Sequence, residues 1–381
     1  MAKGLGGGDG NEETATNHQT NILQFVIALA YATITTSSST TTNAAETVSS
    51  SPYFPPELIP LIVSYLTTLH GFFALRAACR TYRALLPPSP ANLASQCPLL
   101  LVTHKASVSE VLFHAPLRRL LRLRLPCTRL DGRDPSYTRF YSFGWRVAIE
   151  DRNAHGRHRD LRICHLLTGE RARLPAHPNK FQGVIFSGDL VITFELRSHA
   201  LYYCRIGDAK WRAAFCDDDY RIYSLMFVKD TLYALIYPNY RLAVIELHNN
   251  SMELSFLGDK SSARTVQKST MSWLAECRGE LLLVVPVQCS PPVYHVFCWQ
   301  SEERKWTRTT NLGGCSLFFN RHQFAGCLGP DHPAVRRDYM YFTCLYGQWG
   351  KYSLVDGSWH ERVVDYPGLG SPLAWVLPSI G

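Results

Sequence analysis

This sequence holds no apolar run long enough to cross a bilayer. Ile22 to Ala32, ILQFVIALAYA, falls short of the ~20 residues a membrane helix needs. A basic start is missing too: Lys3 is outweighed by Asp9, Glu12 and Glu13, which argues against a secretory signal or an acid-poor transit peptide. The 12 cysteines are scattered singly, with no C-x-x-C pair, so neither a paired-thiolate zinc site nor a dithiol redox motif is written in the chain. They are expected to be reduced, partly buried thiols of a nuclear or cytoplasmic protein. Net charge is +8 without a lysine-rich run, a mild excess that fits arginines on solvated faces better than a nucleic-acid footprint. No G-x-S-x-G elbow, Walker loop, H-E-x-x-H or G-x-G-x-x-G after a strand occurs. The glycine-rich tip Gly4-Leu5-Gly6-Gly7-Gly8-Asp9-Gly10 carries Asp9 where that last fingerprint needs a glycine. No catalytic residue, cofactor or metal is therefore expected, and neither nucleic acid nor membrane is an expected partner.

What is present divides by composition. Residues 1–51 form a Ser/Thr-rich leader that cannot bury enough apolar surface to offset its ordering entropy, so disorder is expected there. From Tyr53 to Leu86 the period becomes helical. Leu58, Ile59, Ile62, Val63 and Leu66 recur at three- and four-residue spacing. Phe72, Leu75, Cys79, Tyr82 and Leu86 follow, with Arg76, Arg80 and Arg83 between them. Pro55 and Pro56 suit a helix start, whereas Pro60 would cost ~3 kcal/mol in a helix interior unless it falls near the first turn. So short a helical unit cannot bury a self-sufficient core and calls for a partner surface. Pro87-Pro88-Ser89-Pro90 then reads as a stop or stiff linker.

Beyond it no helical period returns. Short apolar and aromatic runs broken by Gly, Asp, Asn and Pro predict an all-β region over 97–378. Internal repetition selects its architecture. A turn with an acidic residue introduces a strand at Asp189, Asp230, Glu280 and Asp338, at intervals of 41, 50 and 58 residues. Second apolar runs follow at Leu242–Ile245 and Tyr294–Phe297, and three units end on an acidic turn and a tryptophan, at Trp211, Trp306 and Trp359. Such periods mark propeller blades of about four strands, stacked because one small sheet cannot cover both its faces, with tryptophans filling the gaps between blades. Six blades are expected, with five to seven compatible. The chain thus reads as mainly β, with a small N-terminal all-α module of about three helices before a C-terminal β-propeller.

Two resemblances add to this reading. FPPELIPLIVSYL followed by FALRAACRTYRALL resembles the F-box, the helical module by which adaptors dock onto a Skp-type linker and through it a cullin-RING ubiquitin ligase. Phe54 takes the place of the usual leucine, and Cys79-Arg80-Thr81-Tyr82-Arg83 matches the family's ending with Tyr82 for tryptophan. The resemblance spans 52–88 and implies a linker-binding set of Phe54, Pro55, Leu58, Ile59, Ile62, Val63, Leu66, Leu75, Cys79 and Tyr82. An ordinary helical hairpin is the alternative. DLRICHLLTGERARLP at 160–175 is similar to the opening of the KIB-type β-propeller of plant F-box proteins. Gly207-Asp208-Ala209-Lys210-Trp211, FVKDTLYA at 227–234, Leu312 to Phe318 and Arg337 to Phe342 follow in that family's order. Together they imply a non-catalytic substrate adaptor of an SCF-type ligase, its propeller binding a protein target. The other reading is a propeller scaffold with a degenerate, non-docking helical module.

Several clusters have plainer explanations. Arg118, Arg119, Arg122 and Arg124 alternate with Leu121, Leu123 and Leu125, as outward arginines on strands would, although they could also meet an acidic partner, as could Arg152, Arg157, Arg159 and Arg162. No aromatic residues for base stacking interleave with the first group. His155, His158 and Cys164-His165 lack metal-ligand spacing, and Asp217-Asp218-Asp219 lacks a calcium-loop pattern, so a turn with ordinary polar side chains is expected at each.

Overall fold

Prolines and small polar caps set out the helical segment. Pro56–Leu58 form a 3-10 turn, and Ile59 opens α1 (Ile59–Ser64). Pro60 is thus the second residue of α1, where its missing N–H has no intrahelical partner to lose, and the penalty for an interior proline does not arise. Thr68 caps α2 (Leu69–Ala78) by accepting from Gly71 N at 3.1 Å. Cys79 does the same for α3 (Arg80–Leu85), its Sγ accepting from Tyr82 N at 3.3 Å. The computed structural model describes residues 54–89, 91–104, 109–115, 119–121, 139–152, 159–248, 251–258, 272–289, 292–321, 323–343, 348–364 and 369–378. The leader and the alternating leucines Leu123 and Leu125 lie outside them.

Two compact units divide the chain between Cys97 and Pro98. The helical unit extends past residue 88 because the segment after the prolines caps α1. Ser95 Oγ donates to the carbonyls of Val63 and Leu66, at 3.0 and 2.7 Å, and Cys97 N donates to Thr67 O at 3.1 Å. These bonds hold the turn that follows α1, at Leu66 and Thr67, to the segment after the prolines.

The second unit is a ring of six antiparallel blades, one of them with an inserted strand. Blade 1 contains β1 (Leu99–His104), β2 (Ser109–His114) and β3 (Arg119–Leu121), and its inner position is filled by the chain's last strand, β25 (Leu369–Val376). Blade 2 holds β4 (Arg139–Phe143), β5 (Arg146–Arg152), β6 (Arg159–His165) and β7 (Arg171–Arg173). Blade 3 holds β8 (Gly183–Ser187), β9 (Leu190–Phe194), β10 (Ala200–Arg205) and β11 (Arg212–Phe215). Blade 4 holds β12 (Arg221–Val228), β13 (Thr231–Tyr237), β14 (Arg241–Leu247) and β15 (Met252–Leu257). Blade 5 holds β16 (Trp273–Cys277), β17 (Glu280–Cys289), β18 (Pro292–Gln300) and β19 (Lys305–Thr309).

The predicted repeat maps onto these blades. The acidic turns at Asp189, Asp230 and Glu280 head the second strands β9, β13 and β17. Lys229 and Asp230 both take positive φ, as do Arg278 and Gly279 (+79° at the glycine), the signature of hairpin turns whose twist matches the strands they join. Trp211, Trp306 and Trp359 stand at the outer strands. Each packs into the apolar layer shared with the preceding blade, between blades 2 and 3, 4 and 5, and 5 and 6 respectively. Burial falls outward along a blade: β9 is almost wholly buried, whereas β11 is mostly open to solvent.

Blade 6 breaks the pattern. It comprises β20 (Ser316–Asn320), β21 (Gln323–Leu328), β22 (Tyr339–Thr343), β23 (Gln348–Ser353) and β24 (Trp359–Val363), in the order β21-β20-β22-β23-β24. β20 runs parallel to β22, so it is a strand inserted between the inner strand and the one that normally follows it. The insertion accounts for the interval of 58 residues before Asp338. The carboxylate of Asp338 braces the approach to β20, accepting from Leu312 N at 2.6 Å and Gly314 N at 3.1 Å.

The inserted strand displaces β21 toward the hub. β21 packs on β16, β25 and β4 from three other blades. Gln323 Oε1 accepts from Val184 N on β8 at 3.4 Å, reaching the blade opposite. Asn320 forms a buried bolt beside it: Nδ2 donates to Ser142 Oγ at 2.8 Å, and Oδ1 accepts from Trp375 N at 2.7 Å. One side chain thereby ties blades 6, 2 and 1.

Cys164 is disulfide-bonded, contrary to the expectation that every cysteine is reduced. Eight described cysteines are free thiols. Burial pushes Cys97 and Cys204 up to about 12, which keeps them protonated.

Two predictions follow from this packing. Gly350 on β23 lies directly beneath the Trp359 indole, where a Cβ would collide with the ring. Gly350→Ala is expected to cost about 1–3 kcal/mol through overpacking, read as a lower denaturant midpoint with an unchanged m-value. His165 Nδ1 accepts from Thr168 N at 3.2 Å, and burial with the nearby Arg146 charge lowers its pKa below 6.5. The unfolded chain therefore binds the proton more readily, so the neutral ring's contribution is complete above pH 6.5 and is lost as pH falls through the folded pKa. Thermal melts from pH 7.5 to 5 should show a steeper loss for the wild type than for His165→Asn.

Candidate functional site

Two surfaces gather exposed apolar groups or clustered hydrogen-bonding groups. The first is on the helical unit. Of the residues assigned there from sequence, Ile59, Val63, Leu66, Leu75 and Tyr82 are buried in the folded chain. Phe54, Ile62 and Cys79 are half-buried, and Pro55 and Leu58 are exposed. The helical stripe therefore splits. Its inward members build the unit, and a second set that the stripe did not include stays in solvent: Leu61 at 56% and Tyr65 at 61% exposure, beside Leu58 at 44%. Residues 58, 61 and 65 fall at helical spacing, so this exposure is a face and not a scatter. The signal was present in the sequence, but an unbroken run of apolar residues does not say which side turns inward.

Tyr82 gains its place from its hydroxyl. Phe54 N donates to Tyr82 Oη at 2.6 Å, tying the start of the unit to α3. Burial raises the phenol's pKa, so the hydroxyl stays neutral. Arg76 Nε donates to Leu86 O at 2.8 Å and closes the other end.

The second surface is one mouth of the propeller hub. Inner strands of blades 2 to 5 begin there, and the turn between β20 and β21 joins them. They enclose a cavity of about 200 Å³. Arg139 and Arg321 supply positive charge, Gln182 and Gln323 amides, Ser224 and Ser272 hydroxyls, and Trp273, Phe324 and Met226 an apolar wall. Tyr223 also lines it, and burial raises its hydroxyl to about 12, leaving it neutral at physiological pH. Arg139 also faces the blade 2 interior, where Tyr141 Oη donates to the wholly buried Glu150 at 3.0 Å. The lining thus offers cations and neutral hydrogen-bonding groups around a space below the usual ~300 Å³ of small-molecule pockets. Carboxylate and carbonyl oxygens are the groups that such donors hydrogen-bond.

Among the described residues the other sequence candidates form no common site, although Arg152 and Arg159 are register partners across β5 and β6. Arg118, Arg122, Arg124, Arg157, His155 and His158 lie outside the described residues. Arg119 and Arg152 belong to the edge and middle strands β3 and β5, and Arg159 and Arg162 to β6. The acids Asp217, Asp218 and Asp219 sit in an exposed turn, where Tyr220 N donates back to Asp217 O at 3.0 Å.

A six-bladed β-propeller with a donor-lined hub is the class that this fold and site define. Residues 112–365 match the family model described as the KIB1-4 beta-propeller, and the chain belongs to that family. No curated protein matches the chain. Among solved structures, apo AztD from Citrobacter koseri aligns over 74% of this chain and 97% of its own, at 9% identity and a TM-score of 0.36. The β-propeller domain of the Trilobed protease from Pyrococcus furiosus aligns over 68% and 88%, at 8% identity and a TM-score of 0.35. The computationally designed Ika8 protein aligns over 62% and 69%, at 10% identity and a TM-score of 0.31. Among the described residues no helix is long and apolar enough to cross a membrane.

Tyr82→Phe removes the hydroxyl and leaves Phe54 N without that acceptor. The expected loss is about 0.5–1.5 kcal/mol in the helical unit, seen as faster amide exchange at Phe54 and Tyr82 while propeller amides stay unchanged.

Proposed function

We propose that this chain is the substrate-recognition subunit of an SCF-type ubiquitin ligase. The helical unit docks a Skp-type linker, and through it a cullin-RING assembly, while the propeller holds a protein target. The chain itself then supplies proximity and orientation, and bond-making belongs to the partner subunits. The observation that carries this reading is the exposed face of Leu58, Leu61 and Tyr65 on a separate short helical unit whose sequence resembles an F-box. A unit this small that leaves large apolar side chains in solvent gains most by burying them in a partner. The hub mouth, with Arg139 and Arg321, is the target surface we assign. A nuclear or cytoplasmic location accords with this role.

A second reading has its own support. Five of the ten residues assigned to the linker face, from Ile59 to Tyr82, are buried and cannot contribute contact area without rearrangement. That favours a propeller scaffold whose helical unit no longer docks.

Binding of the purified full-length chain to a recombinant Skp-type protein separates the two. Leu58→Asp with Leu61→Asp should leave the melting profile unchanged, because both side chains are solvent-exposed, and should weaken linker binding at least tenfold. Equal binding by the wild type and this variant sinks the assigned face. A folded wild type that binds no Skp-type protein selects the scaffold.

A further inference from the structure

Three free thiols from different segments of blades 5 and 6 meet at one point. Cys277 ends β16, Cys315 lies in the connection that leads into β20, and Cys327 is on β21. Their Sγ atoms all lie within 4.8 Å of one another. Cys277 and Cys327 approach to 2.9 Å, well beyond the roughly 2.04 Å of a disulfide. Cys315 is wholly buried, Cys277 is 5% exposed, and Cys327 is half-buried, which gives the cluster one side of approach.

Sequence spacing hides this group, because positions 277, 315 and 327 share no short motif. The inserted strand creates it: β20 draws Cys315 in from one side, and displacement of β21 brings Cys327 against Cys277. Ala275, Leu282, Leu312 and Leu317 belong to the same apolar cluster, and Cys327 packs against it.

We propose that Cys277, Cys315 and Cys327 form a site for a single soft metal ion, Cu(I) by its coordination number. Metal–thiolate bonds of ~2.3 Å place three sulfurs in a plane around an ion about 4.0 Å apart. Cys277 and Cys327 stand closer than that, at 2.9 Å, and no pair is further apart than 4.8 Å, so loading requires the first two sulfurs to part by about 1 Å. Three sulfurs with no carboxylate or imidazole joining them, among the described residues, make a soft donor set. Zinc in structural sites takes four protein ligands, whereas this cluster supplies three. The thiols give up their protons to solvent as the sulfurs bind the ion. The Arg278 guanidinium, which lies over Gly313 two residues before Cys315, acts against the negative charge left behind, while the Glu276 and Glu280 carboxylates near Cys277 add to it. A filled site would pin blade 5 to blade 6 where the inserted strand begins.

The test titrates Cu(I) into the reduced full-length chain under anaerobic conditions, with bicinchoninate as competing chelator. The wild type should withhold one equivalent, develop thiolate-to-copper ultraviolet absorption and melt at a higher temperature. Cys277→Ala and Cys315→Ala should lose all three effects. Cys204→Ala, which removes a buried thiol of blade 3, should keep them. Near-ultraviolet circular dichroism of each apo variant establishes that it is folded. Equal copper retention by folded wild type and Cys315→Ala overturns the proposal. So does recovery of Cys277 and Cys327 as a disulfide that, once reduced, binds no copper. Stoichiometric retention of Zn2+ in preference to Cu(I) overturns the three-coordinate assignment.

Discussion

Pairing between β25 and β1 closes the ring, and the remaining architecture depends on it. Leu99, Leu100 and Leu101 align with Val376, Trp375 and Ala374, so blade 1 is assembled from both ends of the propeller's chain. Until that pairing forms, blade 1 has no inner strand and the apolar layer between blades 6 and 1 stays open. That layer includes Leu100, Phe113, Phe318, Tyr341 and Trp375, all buried once the ring is shut. Contacts spanning almost the whole unit carry a large loop-closure cost, which the other blades, built from hairpins, largely avoid.

The hub is asymmetric for a local reason. Five blades meet it with an ordinary inner strand, and blade 6 reaches further in because β20 is interposed behind β21. Polar bonds from Asn320 and Gln323 then take up donors and acceptors on blades 1, 2 and 3, where an apolar side chain would leave buried amides without partners. The same displacement shapes the arginine-bearing mouth and assembles the three thiols. One insertion thus underlies both the arginine-bearing mouth and the thiol cluster.

Much of this was legible in the sequence. Asp189, Asp230 and Glu280 mark real hairpins because a tight turn restricts residue type within two positions. Trp211, Trp306 and Trp359 lie between blades as expected, since few residues are large enough to fill such gaps. Blade 6 shows in the sequence only as an irregular interval, because nothing in Ser316–Asn320 distinguishes an inserted strand from an ordinary one. Pro60 shows the complementary case: its cost depends on a helix start one residue away, and pattern reading fixes boundaries only to within a few residues. The hub lining was not legible, since Arg139, Ser272 and Arg321 are neighbours only after the ring closes. The disulfide at Cys164 escaped for the same kind of reason, as single cysteines carry no pairing information.

The three outer tryptophans lean the same way, each onto the blade that precedes it. Interlocking in this propeller is therefore directional. As the chain leaves the ribosome, each new blade arrives with the cover for the one already made, while its own forward face waits for the next. An emerging chain therefore has two unfinished faces, a forward one that advances around the circle and the blade 1 side of the layer shared with blade 6, which stays open until β25 meets β1. The moving face is covered blade by blade, whereas the blade 1 face waits for the last strand of the propeller.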